Sequence, residues 1–291
     1  MKVGFVPALG TPTDENGNLV VESYEREIDN MIECGAVGIL SMGSMGIQAF
    51  LRNEVCVEVA KTAVRAAGGR VPVYVGCMDN SINRARARMA SMEELDITAF
   101  VFTTPYYEID SRAQIIKYFK ALAASTKHGI VLYDLPGVTQ QKITYDMVCE
   151  LKKECPNLMG IKSADLYMLR HIRLNPDFKD FMTFYSGLDA FDIAYKWGIG
   201  NILDGMLPAT PYNIKNLIEA LDDNRYDDAA KFLDNIIAFR DFFVENDLWP
   251  AFSASMNLLG FEGFFAPDWA EPCSPETIEK IRQKMIEIKE L

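Results

Sequence analysis

A lysine at the end of a short apolar run is the first residue here that suggests chemistry: Leu158-Met159-Gly160-Ile161-Lys162 places an amine at the mouth of a buried strand. Burial disfavours an ammonium ion, so a lysine in such a place can attack a carbonyl and form an imine; the plainer alternative is a side chain that snorkels to solvent. Two further runs end in phenols, Thr103-Thr104-Pro105-Tyr106-Tyr107 and Leu132-Tyr133. Tyrosine there serves either packing or proton transfer. Met42-Gly43-Ser44-Met45-Gly46 follows another run. Its backbone N–H groups can form a nest for a small anion, with Ser44 adding a hydroxyl, although a simple turn reads equally well. Only two histidines occur, His128 and His171. They are too few for a His-rich metal site and leave proton transfer to other side chains.

These residues need a scaffold, and the length of 291 residues fits either two domains or one α/β barrel. With 49% hydrophobic and 24% charged residues the chain reads as an ordinary globular protein able to bury a sizeable core. A net charge of −12 is the wrong sign for binding a phosphate backbone, so nucleic acid is excluded as a partner. The apolar stretches are too short to span a membrane, and the start Met-Lys-Val-Gly-Phe-Val-Pro is neither a leader nor an anchor. Six scattered cysteines form no C-x-x-C pair and read as small buried residues in a reducing, cytoplasmic setting.

Eight apolar runs recur: Val3–Leu9, Val37–Ser41, Val71–Cys77, Ile97–Phe102, Gly129–Tyr133, Leu158–Lys162, Phe181–Ser186 and Asn201–Gly205. Several lack polar alternation, as strands covered on both faces do, and amphipathic stretches such as Tyr24–Cys34, Asn53–Ala67, Ile82–Leu95, Arg112–Ser125 and Tyr145–Glu154 lie between them. Strand then helix, repeated eight times, predicts a (β/α)8 TIM barrel. Thr144, Thr210 and Ser274 each precede a helical pattern and are expected to cap it. The barrel is expected to span 1–222. Residues 223–291 then form a helical extension with patterns at Tyr226–Phe243, Ala251–Leu259 and Pro275–Glu290, broken by Trp249-Pro250 and Pro267-Asp268. Active sites of such barrels sit at the C-terminal ends of the strands, where Lys162, Tyr133, the tyrosine pair and the glycine loop all fall.

Thr11-Pro12, Gly43-Ser44-Met45-Gly46, Thr104-Pro105-Tyr106-Tyr107, Leu132-Tyr133-Asp134-Leu135-Pro136, Gly160-Ile161-Lys162 and Ser186-Gly187 together resemble, in order and spacing, the dihydrodipicolinate synthase and N-acetylneuraminate lyase family. The resemblance covers essentially the whole chain and implies the same barrel with three C-terminal helices. It implies that Lys162 forms a Schiff base with pyruvate or a 2-oxo acid, with no separate cofactor and no metal, and that Tyr133 is the general acid/base. Ser44 would hydrogen-bond Tyr133 and the substrate carboxylate, which the N–H groups beside Gly43, at Ser44 and Met45, would receive. Tyr107 would complete the proton relay from a neighbouring subunit of a homotetramer built as a dimer of dimers. Leu203 would offer a backbone carbonyl, while Gly187 and Asp189 would line the substrate, Asp189 binding a hydroxyl.

Departures from the family pattern narrow the activity. Synthases of the lysine pathway usually carry an arginine two residues after the proline of Tyr-Asn-x-Pro, to grip the carboxylate of aspartate semialdehyde; Val138 stands there and cannot. Sialic acid lyases tend to carry a threonine where this chain has Ala164 and an Asp-Glu pair where it has Asp189-Ala190. Met45 and Ile47 make the mouth more apolar than in most relatives. The resemblance therefore implies a class I aldolase that cleaves a 2-oxo-3-deoxy (sugar) acid to pyruvate and an aldehyde. A lysine-pathway synthase and a sugar-acid dehydratase are the alternatives within the family, and a non-catalytic 2-oxo-acid binder is the alternative outside it.

Overall fold

Eight short strands lie side by side in the computed structural model, which describes residues 3–291: β1 (Gly4–Pro7), β2 (Ile39–Ser41), β3 (Val73–Gly76), β4 (Ala99–Thr103), β5 (Gly129–Tyr133), β6 (Leu158–Ser163), β7 (Met182–Tyr185) and β8 (Asn201–Asp204). All pair in parallel in the order β1-β8-β7-β6-β5-β4-β3-β2. The ring closes where the Leu9 N–H donates to the Leu40 carbonyl and the Val37 N–H to the Phe5 carbonyl, each at 2.9 Å. Each predicted apolar run carries one strand, with ends that agree to within two residues.

The missing polar alternation has a direct cause. In β5, Val131 and Tyr133 point into the barrel with Val6, Leu40, Tyr74, Phe184 and Leu203, whereas Ile130 and Leu132 join the larger core between barrel and helices. Both faces are buried, so both must be apolar. The helices are α1 (Val21–Glu33), α2 (Asn53–Ala67), α3 (Ile82–Ala90), α4 (Arg112–Ala123), the single-turn α5 (Pro136–Thr139), α6 (Tyr145–Glu154), α7 (Leu166–Leu174), α8 (Phe191–Lys196), α9 (Pro211–Asp222), α10 (Tyr226–Glu245), α11 (Leu248–Leu258) and α12 (Pro275–Glu287). α10 packs along α9 and reaches the turn at 188–190 beyond β7, while α11 and α12 pack on each other. No helix among the described residues is long and apolar enough to cross a membrane.

Three local expectations are corrected. The helix expected over Ile82–Leu95 stops at Ala90, because Met92 turns into the core and leads the chain toward β4. Trp249-Pro250 does not interrupt the extension but lies in the first turn of α11, where a helical N–H has no partner to lose. Thr144 and Ser274 do cap their helices, through the N–H groups of Met147 and Thr277. Thr210 does not, since its hydroxyl donates to the Met206 carbonyl at 3.0 Å.

Glu27 on α1 is fully buried, with Oε1 accepting the Gly10 N–H at 2.9 Å and Oε2 without a partner among the described residues. Burial pushes its carboxyl up to about 8 from an ordinary 4.5. A raised folded-state value means that its contribution to stability is fully present below pH 4.5 and is lost as pH rises toward 8. Glu27→Gln keeps an acceptor for Gly10 and removes this slope. Unfolding free energies from urea curves should converge at acid pH and favour the variant by up to a few kcal/mol near pH 8. Parallel wild-type and variant curves across that window would contradict the assignment.

Candidate active site

Lys162 and Tyr133 are direct cross-strand partners on β6 and β5. Both side chains are on the inward parity of their strands, and Lys162 is only 4% exposed. Its Nζ lies 4.0 Å from the centroid of the Tyr133 ring, so the amine rests on the aromatic face. The ring quadrupole attracts a cation in that position by roughly 0.5–2 kcal/mol and holds the flexible lysine stem in one place. The two residues read from separate strand ends thus form one unit at the C-terminal mouth.

Their alignment is locked from outside the barrel by a residue that the sequence reading treated only as part of a motif. Asp134, buried directly after β5, accepts the Ser163 hydroxyl at 2.7 Å, the Ile143 N–H at 2.9 Å and Lys142 Nζ at 2.9 Å. Its own N–H donates to the Lys162 carbonyl at 2.9 Å. The ends of β5 and β6 are therefore pinned together beside the reactive pair. On the other side, Thr103 is the register partner of Tyr133, and the buried hydroxyls of Thr103 and Thr104 have no partner among the described residues.

The loop after β2 sits over this mouth. Its backbone turns sharply, with φ of 55° at Met42 and 47° at Ile47, and Gly76 makes room for it: a Cβ there would come within 1.7 Å of the Met42 oxygen. The Thr11 hydroxyl donates to the Gly46 carbonyl at 2.8 Å. Among the described residues, the N–H groups of Gly43, Ser44 and Met45 donate to no backbone carbonyl, and the Ser44 hydroxyl makes no bond to Tyr133. Met45 reaches across to β8, where a Cβ on Gly205 would stand 1.9 Å from its Cγ. Leu203 is buried in the barrel core.

Other expected site residues stand farther out. Tyr107 is 83% exposed on its own chain, while Tyr106 is half-buried; both N–H groups donate to Asn80 Oδ1. Val138, on α5, is 61% exposed. Gly187 follows β7, where a Cβ would stand 2.4 Å from the Tyr185 hydroxyl oxygen. Asp189 is gripped at both oxygens by Arg240 of α10, at 2.8 and 3.0 Å, and this guanidinium holds its carboxyl below the usual range. Arg240 lies 51 residues away in the extension, and no sequence signal singled it out. His128 precedes β5, its ring bonded to the carbonyls of Ile97 and Glu93, and His171 lies on α7, so neither is at the mouth. Among the described residues no three His, Cys, Asp or Glu side chains gather as a metal site requires.

The arrangement offers a nucleophilic amine, an adjacent phenol and free N–H groups for a carboxylate at one barrel end. Comparison with known proteins bears on the family and the fold. The sequence matches the profile of the Dihydrodipicolinate synthetase family over residues 1–290. It is similar to the 4-hydroxy-tetrahydrodipicolinate synthase of Porphyromonas gingivalis, 29% identical over 229 residues that cover 78% of this chain and 76% of the relative. Among solved structures, its fold is similar to the N-acetylneuraminate lyase of Proteus mirabilis, with a TM-score of 0.89 at 21% identity over 100% of this chain and 99% of the other. It is equally similar to YagE, a prophage protein of the dihydrodipicolinic acid synthase family from E. coli K12 solved in complex with pyruvate, with a TM-score of 0.89 at 21% identity over 99% of both chains.

Proposed function

The chain belongs to the dihydrodipicolinate synthetase family, whose members are pyruvate-dependent class I aldolases and lyases, and on that premise we propose that it cleaves a 2-oxo-3-deoxy acid to pyruvate and an uncharged hydroxyaldehyde. The juxtaposition of Lys162 and Tyr133 supports this reading most directly. The Lys162 amine attacks C2 of the 2-oxo acid, water departs, and the imine nitrogen takes up the electron pair released when the C3–C4 bond breaks. Tyr133 removes the proton of the C4 hydroxyl, so that the aldehyde leaves as its carbonyl forms. The enamine is then protonated at C3, and water releases pyruvate from Lys162. The substrate carboxylate is received by the N–H groups of Ser44 and Met45, with the Ser44 hydroxyl beside them.

The aldehyde half follows from what the mouth lacks. Val138 offers no guanidinium, and Arg240 is already committed to Asp189 and Asp241. Tyr107, exposed on its own chain, is read as the residue lent to a partner subunit in a homotetramer. A lysine-pathway synthase is the second reading, favoured by the name shared by the curated relatives. Purified protein incubated with a panel of 2-oxo-3-deoxy sugar acids should release pyruvate, measured by a coupled dehydrogenase. Turnover of pyruvate with aspartate semialdehyde should be slower by at least about tenfold, the loss of one charge-assisted contact. Faster condensation than cleavage would transfer the assignment to the synthase, and water loss without pyruvate release to a dehydratase.

A further inference from the structure

Lys142 follows the single turn of α5, outside every motif of the sequence, yet it reaches the ends of both strands that carry the reactive pair. Its Nζ lies 2.9 Å from Oδ2 of Asp134, the residue after Tyr133, and 2.9 Å from Oδ2 of Asp165, just beyond the end of β6. Ser163, the residue after Lys162, completes the circuit: its hydroxyl donates to the same Asp134 oxygen at 2.7 Å and accepts the Asp165 N–H at 3.0 Å. These four side chains therefore form a closed ring. The Asp134 N–H ties it to the Lys162 carbonyl at 2.9 Å, and Asp165 ties it to α7 by accepting the Met168 N–H at 2.9 Å. The Asp134 carboxylate is only 1% exposed, and Lys142 is the one cation that pairs with it among the described residues. Without that ammonium it would keep two neutral donors, Ser163 and Ile143, and an uncompensated buried charge.

We propose that Lys142 is a positioning residue for imine formation: by neutralising Asp134 and bridging it to Asp165, it fixes the ends of β5 and β6 so that the Lys162 amine stays seated on the Tyr133 ring. The proposal rests on the reading of Lys162 as the imine-forming residue. The ring of contacts lies outside the barrel, because alternation turns Asp134 and Ser163 away from the face that Tyr133 and Lys162 share. Lys142 thus acts through the backbone and touches neither the amine nor the phenol. The 4.0 Å seat of Nζ on the ring depends on how the two strand ends lie against each other. A carboxylate stripped of its counter-ion takes up a proton or turns toward solvent, and either change opens the ring of contacts. A displacement of about 1 Å at a reacting atom costs on the order of 10²-fold in rate.

Lys142→Met removes the ammonium and keeps most of the stem. The rate of pyruvate-imine trapping with excess cyanoborohydride, followed by intact-protein mass at saturating pyruvate, should fall by about tenfold or more while thermal melts show a folded barrel. The pyruvate concentration for half the maximal rate should stay within a few-fold, because the loop after β2 is untouched. Adding Asp134→Asn removes the stranded charge and keeps an acceptor for Ile143, so the double variant should recover most of the lost rate. A purely structural lysine would move the melting temperature and leave the trapping rate of folded protein unchanged. Lys142→Gln serves the same test where the Met variant does not fold. A folded single variant that traps at the wild-type rate overturns the proposal, as does a folded double variant no faster than the single one. Loss of the fold in both single variants also overturns it, because the lysine would then serve the barrel itself. An adduct on wild-type Lys162 in those cases leaves the aldolase reading standing, whereas no adduct on the wild type removes both.

Discussion

Lys162→Ala should abolish the borohydride-trapped pyruvate adduct and lower pyruvate release by on the order of 10⁴-fold or more, since removal of a covalent nucleophile leaves only binding and dipoles to act. The amine is the group at the mouth that combines burial, an inward strand position and a fixed seat on the Tyr133 ring. Lys162→Arg makes the sharper control. It keeps the cation and most of the side-chain volume, and guanidinium is never neutral at working pH, so the adduct should be lost there too. Intact-protein mass after reduction, with a melting curve to show that the barrel is formed, reads both variants. An adduct of unchanged yield on either would place the imine on another lysine.

Tyr133→Phe should separate binding from turnover. The ring that carries the Lys162 amine remains, and the hydroxyl makes no hydrogen bond within the described chain, so neither the barrel nor the lysine seat depends on it. Reduction should therefore still trap pyruvate on Lys162. The rate of C3–C4 cleavage should fall by roughly 10²- to 10⁴-fold, the range for loss of a positioned general acid/base. Turnover within a few-fold of wild type would assign proton transfer to another group, the buried hydroxyl of Thr103, the register partner of Tyr133 on β4, being one candidate.

What could be read from the sequence was local in origin. The apolar runs of β3 to β6 have no polar alternation because alternate side chains feed two cores, and that pattern alone implies a parallel sheet covered on both faces. A barrel then follows from eight repeats, and its mouth from the direction of the strands. Lys162 and Tyr133 were legible for the same reason: each is polar at the end of its own apolar run. Gly43 to Gly46 was legible as a loop, but its seat over Gly76 was not, because that depends on a backbone approach between two strands.

The tertiary structure decided the charges around the reactive pair. Asp134 meets Ser163 across 29 positions of sequence and Asp189 meets Arg240 across 51, and neither contact leaves a periodic trace. Asp189, expected from the resemblance to hold a substrate hydroxyl, faces a guanidinium supplied by the helical extension. Glu27 on α1 is sealed under Gly10, which lies 17 positions away in sequence. Hydrophobic patterning is written along the chain, residue by residue, and so the sequence by itself determines the barrel, its polarity and the amine and phenol at its mouth. The field acting on that amine is a sum over groups that only closure of the barrel brings within range, and that sum belongs to the tertiary structure.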